Sequence, residues 1–112
     1  MKEKLSNSGK GFHMTFENGL TISVQWGYDN YCNNKTYSKG YQEELNVIKE
    51  KGLFTGETAE IAVWNAEGKW MNFKYDQVKG WLPPDTIADY IHKVKNAISI
   101  DELHEGEGFI SE

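Results

Sequence analysis

Arginine is absent from this chain of 112 residues, and lysine supplies all twelve basic side chains. Lysine is a point charge and lacks the planar fork with which arginine binds phosphates and guanine. The net charge of -5 also disfavours a polyanionic partner. Proline occurs only twice, and no apolar run approaches the roughly 20 residues that cross a bilayer. The composition therefore predicts that neither nucleic acid nor a membrane is a partner.

Cysteine occurs once, at Cys32, so the chain has no partner for an internal disulfide and lacks the cysteine sets of common zinc sites. A nucleophilic thiol needs a base within reach and an electropositive setting. His13 and His104 are candidate bases, but no motif links either of them to Cys32. We therefore predict no catalytic residue, and an enzyme that depends on Cys32 is the least favoured interpretation.

Negative charge is concentrated at the end of the chain, where no lysine follows Ile100. The acidic residues of this end are Asp101, Glu102, Glu105, Glu107 and Glu112. Together with His104 they could bind a divalent metal, but their spacing is unspecific and a solvated end explains them equally well. We therefore expect a flexible tail over 101–112, with no metal site and no cofactor.

The beginning of the chain is polar and lacks the apolar stretch of a secretory signal. We expect residues 1–9 to form a second flexible tail and the protein to be cytoplasmic. The length fits one domain with a substantial core, which we place over 1–112.

Two segments have the alternating pattern of β-hairpins. In the first, a three-residue loop ending at Gly19 pairs Phe16 with Leu20, Met14 with Ile22 and Phe12 with Val24, which makes one face wholly apolar. A two-residue turn at Asn18-Gly19 would instead set each apolar residue beside a polar one. The first register is therefore preferred.

The second hairpin extends from Ala59 to Tyr75, with Gly68 in the role of Gly19. The predicted pairs are Val63 with Met71, Ile61 with Phe73, Ala59 with Tyr75, Glu60 with Lys74 and Trp64 with Trp70. The two hairpins together indicate an antiparallel sheet.

Helical patterns occur in two places. From Pro84 to about Ala97, a stripe of Ile87, Ile91, Val94 and Ile98 predicts a long helix that covers one sheet face. Residues 41–51, followed by Gly52, predict a short middle helix. The fold class is therefore α+β, an antiparallel sheet of four to five strands with one C-terminal helix and a short middle helix.

An irregular loop over about 27–40 is rich in tyrosine and asparagine, the composition of many binding loops. Tyrosine gives a large contact surface with few rotors, and asparagine gives adaptable hydrogen bonds. The candidate contacts of this loop are Trp26, Tyr28, Asn30, Tyr31, Tyr37 and Tyr41. The alternative is a disordered insertion whose aromatic side chains pack only against one another.

Trp64 and Trp70 form a second candidate surface, because the predicted register sets them side by side on the face away from the long helix. The preferred interpretation is that the middle segment folds back over them, because this segment has to bury its own apolar residues. Its apolar side chains are Leu45, Ile48, Leu53 and Phe54.

Several short blocks of the sequence resemble small accessory proteins of tailed bacteriophages and prophages. These blocks are Phe16, Asn18-Gly19, Thr21, Ser23–Gly27, Asn30–Cys32, Ala59–Trp64, Gly80-Trp81, Pro84-Asp85 and Ile87-Ala88. Residues 33–57 depart from the resemblance and look like an insertion. The resemblance implies a viral accessory role and no catalytic residue.

The combined expectation is a non-enzymatic phage or prophage protein that inhibits a host defence component. It would do so by stoichiometric binding of a host protein or by sequestering a small signalling molecule. A phage structural or regulatory protein that forms a homodimer through Trp64 and Trp70 is the alternative.

Overall fold

Five antiparallel strands form one sheet whose spatial order follows the order of the chain. The computed structural model describes residues 2–7 and 9–106. The strands are β1 Lys4–Asn7, β2 Gly11–Thr15, β3 Thr21–Gln25, β4 Ala59–Trp64 and β5 Lys79–Leu82. Two α-helices, α1 Tyr41–Lys51 and α2 Pro84–Lys95, and a short 3-10 helix, Ile100–Glu102, complete the α+β fold that the sequence predicts.

The first hairpin has the predicted register. Phe12 lies opposite Val24 and Met14 opposite Ile22, and the Phe16 N–H donates to the Leu20 carbonyl at 2.9 Å. Gly19 has a φ of 89°, the left-handed conformation that the three-residue loop requires. The buried face of this hairpin is apolar, as the pattern predicts.

The second hairpin agrees with the prediction only as far as Met71. Trp64 lies opposite Trp70, and the Met71 N–H donates to the Val63 carbonyl at 2.8 Å. The predicted pairs of Ile61 with Phe73 and of Ala59 with Tyr75 are wrong, and Lys74 does not lie opposite Glu60. β5 occupies that position instead, with Lys79 opposite Ile61 and Leu82 opposite Ala59.

Phe73 stays in the core although the chain leaves the sheet after Met71. Phe73 is 3% exposed. Its ring packs edge-to-face with that of Tyr90 on α2, and the ring centroids are 5.9 Å apart. Tyr75 is 81% exposed. The alternation that predicts a continued strand therefore reflects one core residue and one solvent residue in an irregular segment.

Helix α2 packs on β3 and β4 and closes the core. Ile87, Tyr90 and Val94 are its buried residues, and Ile91 is partly buried. Ile98 was predicted to extend this stripe, but it is 88% exposed. The helix ends at Lys95, so Ile98 lies outside the helical spacing.

The turn of the first hairpin caps the end of α2. The Asn18 Nδ2 group donates to the carbonyls of Val94 and Ala97, both at 2.9 Å. Its Oδ1 accepts the Leu20 N–H at 3.0 Å. One amide therefore fixes the hairpin turn and caps the end of α2, where the Val94 carbonyl also accepts the Ala97 N–H at 3.3 Å.

Both predicted tails contain packed structure. Residues 4–7, which fall within the predicted tail 1–9, form β1 and pair with β2. In the predicted tail 101–112, Leu103 is 5% exposed, and the Glu105 N–H donates to the Asn72 carbonyl at 2.9 Å. Glu107 and Glu112 lie outside the described residues.

Helix α1 begins and ends as predicted. Gly52 ends it with a φ of 82°, and its N–H donates to the Ile48 carbonyl at 2.7 Å.

Among residues 2–7 and 9–106, neither helix has the length and apolar content needed to cross a membrane.

Candidate functional site

A groove of about 520 Å³ lies on the helix-covered side of the sheet, between α2 and residues 53–58. Its floor consists of Phe12, Val24 and Trp26. The first turns of α2 form one wall, through Ile87, Ala88 and Ile91. The volume is within the range of small-molecule sites, roughly 300–1,000 Å³. The groove therefore offers an apolar cleft to a ligand or to side chains of a partner.

Residues 53–58 form the opposite wall of the groove, although they belong to no helix or strand. Phe54 turns its ring inward and is 7% exposed, whereas Leu53 is 54% exposed. Glu57 and Thr58 add polar groups to this wall. The wall needs support from elsewhere in the chain, because irregular backbone has no ladder of its own.

Trp26 and Asn34 supply part of this support. The Trp26 indole N–H donates to the Phe54 carbonyl at 2.6 Å. The Asn34 Nδ2 group donates to the Trp26 carbonyl at 2.8 Å and to the Thr55 carbonyl at 2.9 Å. Trp26 therefore lines the floor of the groove and also holds its wall in position.

Asn33 holds the other end of the wall. Its Oδ1 accepts the N–H groups of Glu57 at 2.9 Å and Thr58 at 3.0 Å. Its own N–H donates to the Thr58 hydroxyl at 2.9 Å. The asparagines that suggested a binding loop are thus used, at positions 33 and 34, to shape the wall of the groove.

Asn30 is also engaged within the chain. Its Nδ2 donates to a Glu60 carboxylate oxygen at 3.0 Å, and its Oδ1 accepts the Gly27 N–H at 2.8 Å. The Tyr31 N–H donates to the other Glu60 oxygen at 3.1 Å. Glu60 therefore anchors the loop to β4, and the Asn30 amide already has a partner at each end.

Tyr28 connects the loop to α1. Its N–H donates to the Glu44 carboxylate at 2.6 Å, and its ring meets the Phe54 ring edge-on at 5.1 Å. Glu44 is 3% exposed, with the Lys10 ammonium 3.7 Å away. This buried carboxylate therefore joins α1, the loop and the start of β2.

Lys10 also pairs with Asp29, 2.7 Å away. The hydrogen bond from Lys10 lowers the pKa of the Asp29 carboxyl despite partial burial. Burial opposes the charge on Lys10, but the hydrogen bond and charge of Asp29, followed by those of Glu44, outweigh it and raise the lysine pKa. Opposite charges thus hold the loop base together.

The remaining aromatic candidates, two in the loop and Tyr41 at the start of α1, face solvent. Tyr37 is 93% exposed and Tyr41 is 68% exposed. Tyr31 lies against Trp81 of β5, with ring centroids 5.5 Å apart. The structure thus divides the candidate contacts of the loop. Trp26, Tyr28 and Asn30 belong to the supporting network, and Tyr31, Tyr37 and Tyr41 remain accessible.

Trp64 and Trp70 lie together on the other face of the sheet. Their ring centroids are 5.1 Å apart, and the His13 ring meets Trp64 edge-on at 5.2 Å. Trp70 is 37% exposed. The pair is thus partly shielded by a sheet neighbour.

The interpretation that the middle segment covers this pair is wrong. Phe54 contacts Tyr28 and lines the groove on the opposite side. Ile48 packs beside Gly9. Leu45 and Leu53 are 38% and 54% exposed. The segment follows the groove because its tethers to 26–34 direct it there.

Cys32 is enclosed behind the loop. It is 1% exposed, and its thiol donates to the Gly27 carbonyl at 3.4 Å. Burial raises the pKa of the thiol, which favours the neutral form over the nucleophilic thiolate. Cys32 therefore has the environment of a packing residue.

His104, proposed above as a base or metal ligand, joins two segments. Its Nδ1 accepts the Asn72 N–H at 2.9 Å, and its Nε2 lies 3.5 Å from Asp101. Across the described ranges, 2–7 and 9–106, no cluster of three or more His, Cys, Asp or Glu side chains has a metal-binding arrangement.

The sequence did not reveal the groove, because its wall has no periodic pattern. The only signal was an apolar pair, Leu53-Phe54, among polar and small residues. Neither the groove nor its supporting loop contains a motif that identifies a ligand. No protein-family model matches the chain, and comparisons with curated proteins and with solved structures find no significant match.

Proposed function

We propose that this chain is a non-enzymatic binding protein that holds its partner in the apolar groove between α2 and residues 53–58. The observation that carries the proposal is a concave apolar surface whose irregular wall is fixed by hydrogen bonds from the loop. A preorganised wall lowers the entropic cost of binding, since the site is shaped before the partner arrives. Trp26, at the floor, is the principal contact.

The proposal extends to a biological role, the inhibition of a host defence component in the cytoplasm of a bacterial host. The partner would be a host protein or a small signalling molecule, bound stoichiometrically. The resemblance of the sequence blocks to phage accessory proteins supports this part of the proposal. The environment of Cys32 supports a mechanism without covalent catalysis, because a buried neutral thiol is a poor nucleophile.

Mass spectrometry of the tagged protein recovered from bacterial cells tests the proposal. The protein is measured once under native conditions and once after denaturation. A stoichiometric small molecule or host protein that dissociates on denaturation is the expected result. Recovery of the chain alone from cells that carry the defence system would contradict the proposal.

A matched pair of variants on α2 then tests the site. Ala88 is exposed and lines the groove, whereas Asp89 is exposed and belongs to no part of its lining. Ala88→Phe fills the groove and should abolish recovery of the partner. Asp89→Phe adds the same ring to the same helix and should leave recovery unchanged. Equal effects of the two substitutions would refute the groove as the site.

Self-association is the second candidate, and the exposure of Trp70 favours it. A dimer through this face should dissociate when Trp70 is replaced by Ser, because an exposed aromatic ring is a typical interface anchor. Tyr75→Ser removes another exposed ring and provides the control. Light scattering measures both variants, and a dimer that survives Trp70→Ser rules this candidate out.

A further inference from the structure

An exposed aromatic cluster lies at the β5 edge, away from the groove. We call it the aromatic platform, and it consists of Tyr31, Trp81, Tyr37 and Lys35. The rings of Tyr31 and Trp81 have centroids 5.5 Å apart and planes inclined by 36°. Tyr31 is 42% exposed and Trp81 is 56% exposed. Two neighbouring rings, tilted relative to each other, are therefore partly exposed to solvent.

Backbone contacts hold the platform in place. The Trp81 N–H donates to the Tyr31 carbonyl at 2.8 Å. Gly80 allows this approach, because a Cβ there would lie 2.4 Å from the Tyr31 Cβ. Trp81 is the one described non-glycine residue with a positive φ, 53°. Such strained conformations occur often at binding sites, where the surrounding structure enforces them.

A positive charge is fixed beside these rings. The Lys35 ammonium lies 5.0 Å from the centre of the Tyr31 ring and 4.8 Å from that of the Tyr37 ring. The same ammonium donates to the Asp29 backbone carbonyl at 3.5 Å. In the described part of the chain it forms no ion pair, and the Asp29 carboxylate is paired with Lys10. Lys35 is therefore available to an anionic group of a ligand.

We propose that the aromatic platform binds a small molecule in which a planar ring adjoins an anionic group, the chemistry of a nucleotide. The ring would stack on Trp81 and Tyr31, and the anionic group would lie against Lys35. An acidic peptide fits less well, since it would need several free cations and the platform supplies one. Neighbouring Leu82 belongs to the core, so Trp81 points away from the groove and the two sites are independent.

Titration with AMP, adenosine and inorganic phosphate tests the platform. The readout is the tryptophan indole N–H signals in NMR spectra of ¹⁵N-labelled protein. AMP should shift the Trp81 signal and bind roughly tenfold tighter than adenosine at low salt, because its dianionic phosphate faces an ammonium. This advantage should shrink as salt is added. Phosphate alone should leave the Trp81 signal unmoved.

Variants separate the contributions of ring and charge. Lys35→Gln should reduce AMP binding to the adenosine level. Trp81→Ala should weaken the binding of both ligands by about fivefold or more, the usual effect of removing an aromatic ring on which one base stacks. Trp81→Phe should retain most of the binding. Tyr75→Ala, which removes an exposed ring outside the platform, should change nothing. Thermal unfolding of each variant checks that the fold is intact.

Absence of a Trp81 shift with AMP at millimolar concentration would overturn the proposal. Equal affinity for AMP and adenosine, or an AMP-induced shift of Trp26 in place of Trp81, would also overturn it. Tighter binding of an acidic tyrosine-containing peptide than of AMP would assign the platform to a protein partner. A shift of Trp26 would place AMP in the groove instead. The other results leave the groove proposal unchanged, and the Ala88 and Asp89 variants test it separately.

Discussion

Replacing Asn18 tests how much its amide contributes to holding the end of α2 against the turn of the first hairpin. Asn18→Asp preserves the size of the side chain and the acceptor for the Leu20 N–H. It removes two donor bonds of 2.9 Å to the Val94 and Ala97 carbonyls. Each such bond contributes about 1 kcal/mol net. The new negative charge at the C-terminal end of a helix costs about 0.5 kcal/mol more.

The expected loss is therefore about 2.5 kcal/mol at neutral pH, or roughly 10 °C in the unfolding midpoint for a chain of this size. Thermal and urea unfolding measure it. The loss should shrink at low pH, because a protonated carboxyl can donate again. The folded state raises the pKa of the new carboxyl, so stability is retained below about pH 3.9 and lost as the pH rises through the folded pKa.

Asn65→Asp is the matched control. Asn65 lies in the turn of the second hairpin, where its Oδ1 accepts the N–H groups of Glu67 and Lys69 at 3.1 and 2.8 Å. A carboxylate accepts these bonds equally well, so this substitution should cost less than about 0.5 kcal/mol. Equal losses at the two positions would refute the capping role of Asn18.

Three further predictions concern the loop, the core and the thiol. Asn34→Ala should accelerate amide hydrogen exchange across 53–58, because it removes the bond to the Thr55 carbonyl; Asn46→Ala, on the exposed side of α1, should not. Burial and then the Glu105 hydrogen bond raise the pKa of Tyr90 from its ordinary 10.0, so stability falls as the pH rises through the folded pKa. Tyr90→Phe should therefore reduce the loss of stability above about pH 10. A wild-type stability that does not fall would contradict this. Cys32 should react with a thiol reagent only after denaturation, as its 1% exposure requires, and rapid labelling of the native protein would show that the loop opens.

The hairpin registers could be predicted where side-chain alternation and turn chemistry agree. In the first hairpin, only the loop that ends at Gly19 puts Phe12, Met14 and Phe16 on one face, and the structure has that register. In the second, the same logic holds to Met71 and then fails. The alternation of Phe73 and Tyr75 was compatible with a strand, but packing of Phe73 against Tyr90 and pairing of β5 with β4 decide the outcome.

Other elements left no signal in the sequence. All four residues of β1 are exposed, so its pairing depends on backbone hydrogen bonds that no apolar pattern indicates. Asn18 caps a helix whose Val94 carbonyl is 76 positions away in the sequence. The preference of asparagine for turns predicts only its hydrogen bonds to neighbouring residues. The loop composition predicted an interaction site, and composition does not distinguish an asparagine that contacts a ligand from one that holds the chain, as Asn33 does.

The strand order has a consequence for how the chain folds. β3 and β4 are adjacent at the centre of the sheet, yet residues 26–58 separate them in sequence. Every other neighbouring pair of strands is joined by a shorter connection. Closing a long connection costs more chain entropy, although only about 0.6 kcal/mol for each doubling of its length. We therefore expect two subdomains, one from β1 to β3 and one from β4 to α2, to form early and to meet late through β3 and β4. A chain cut at the exposed residue Tyr37 should still reassemble from its two fragments.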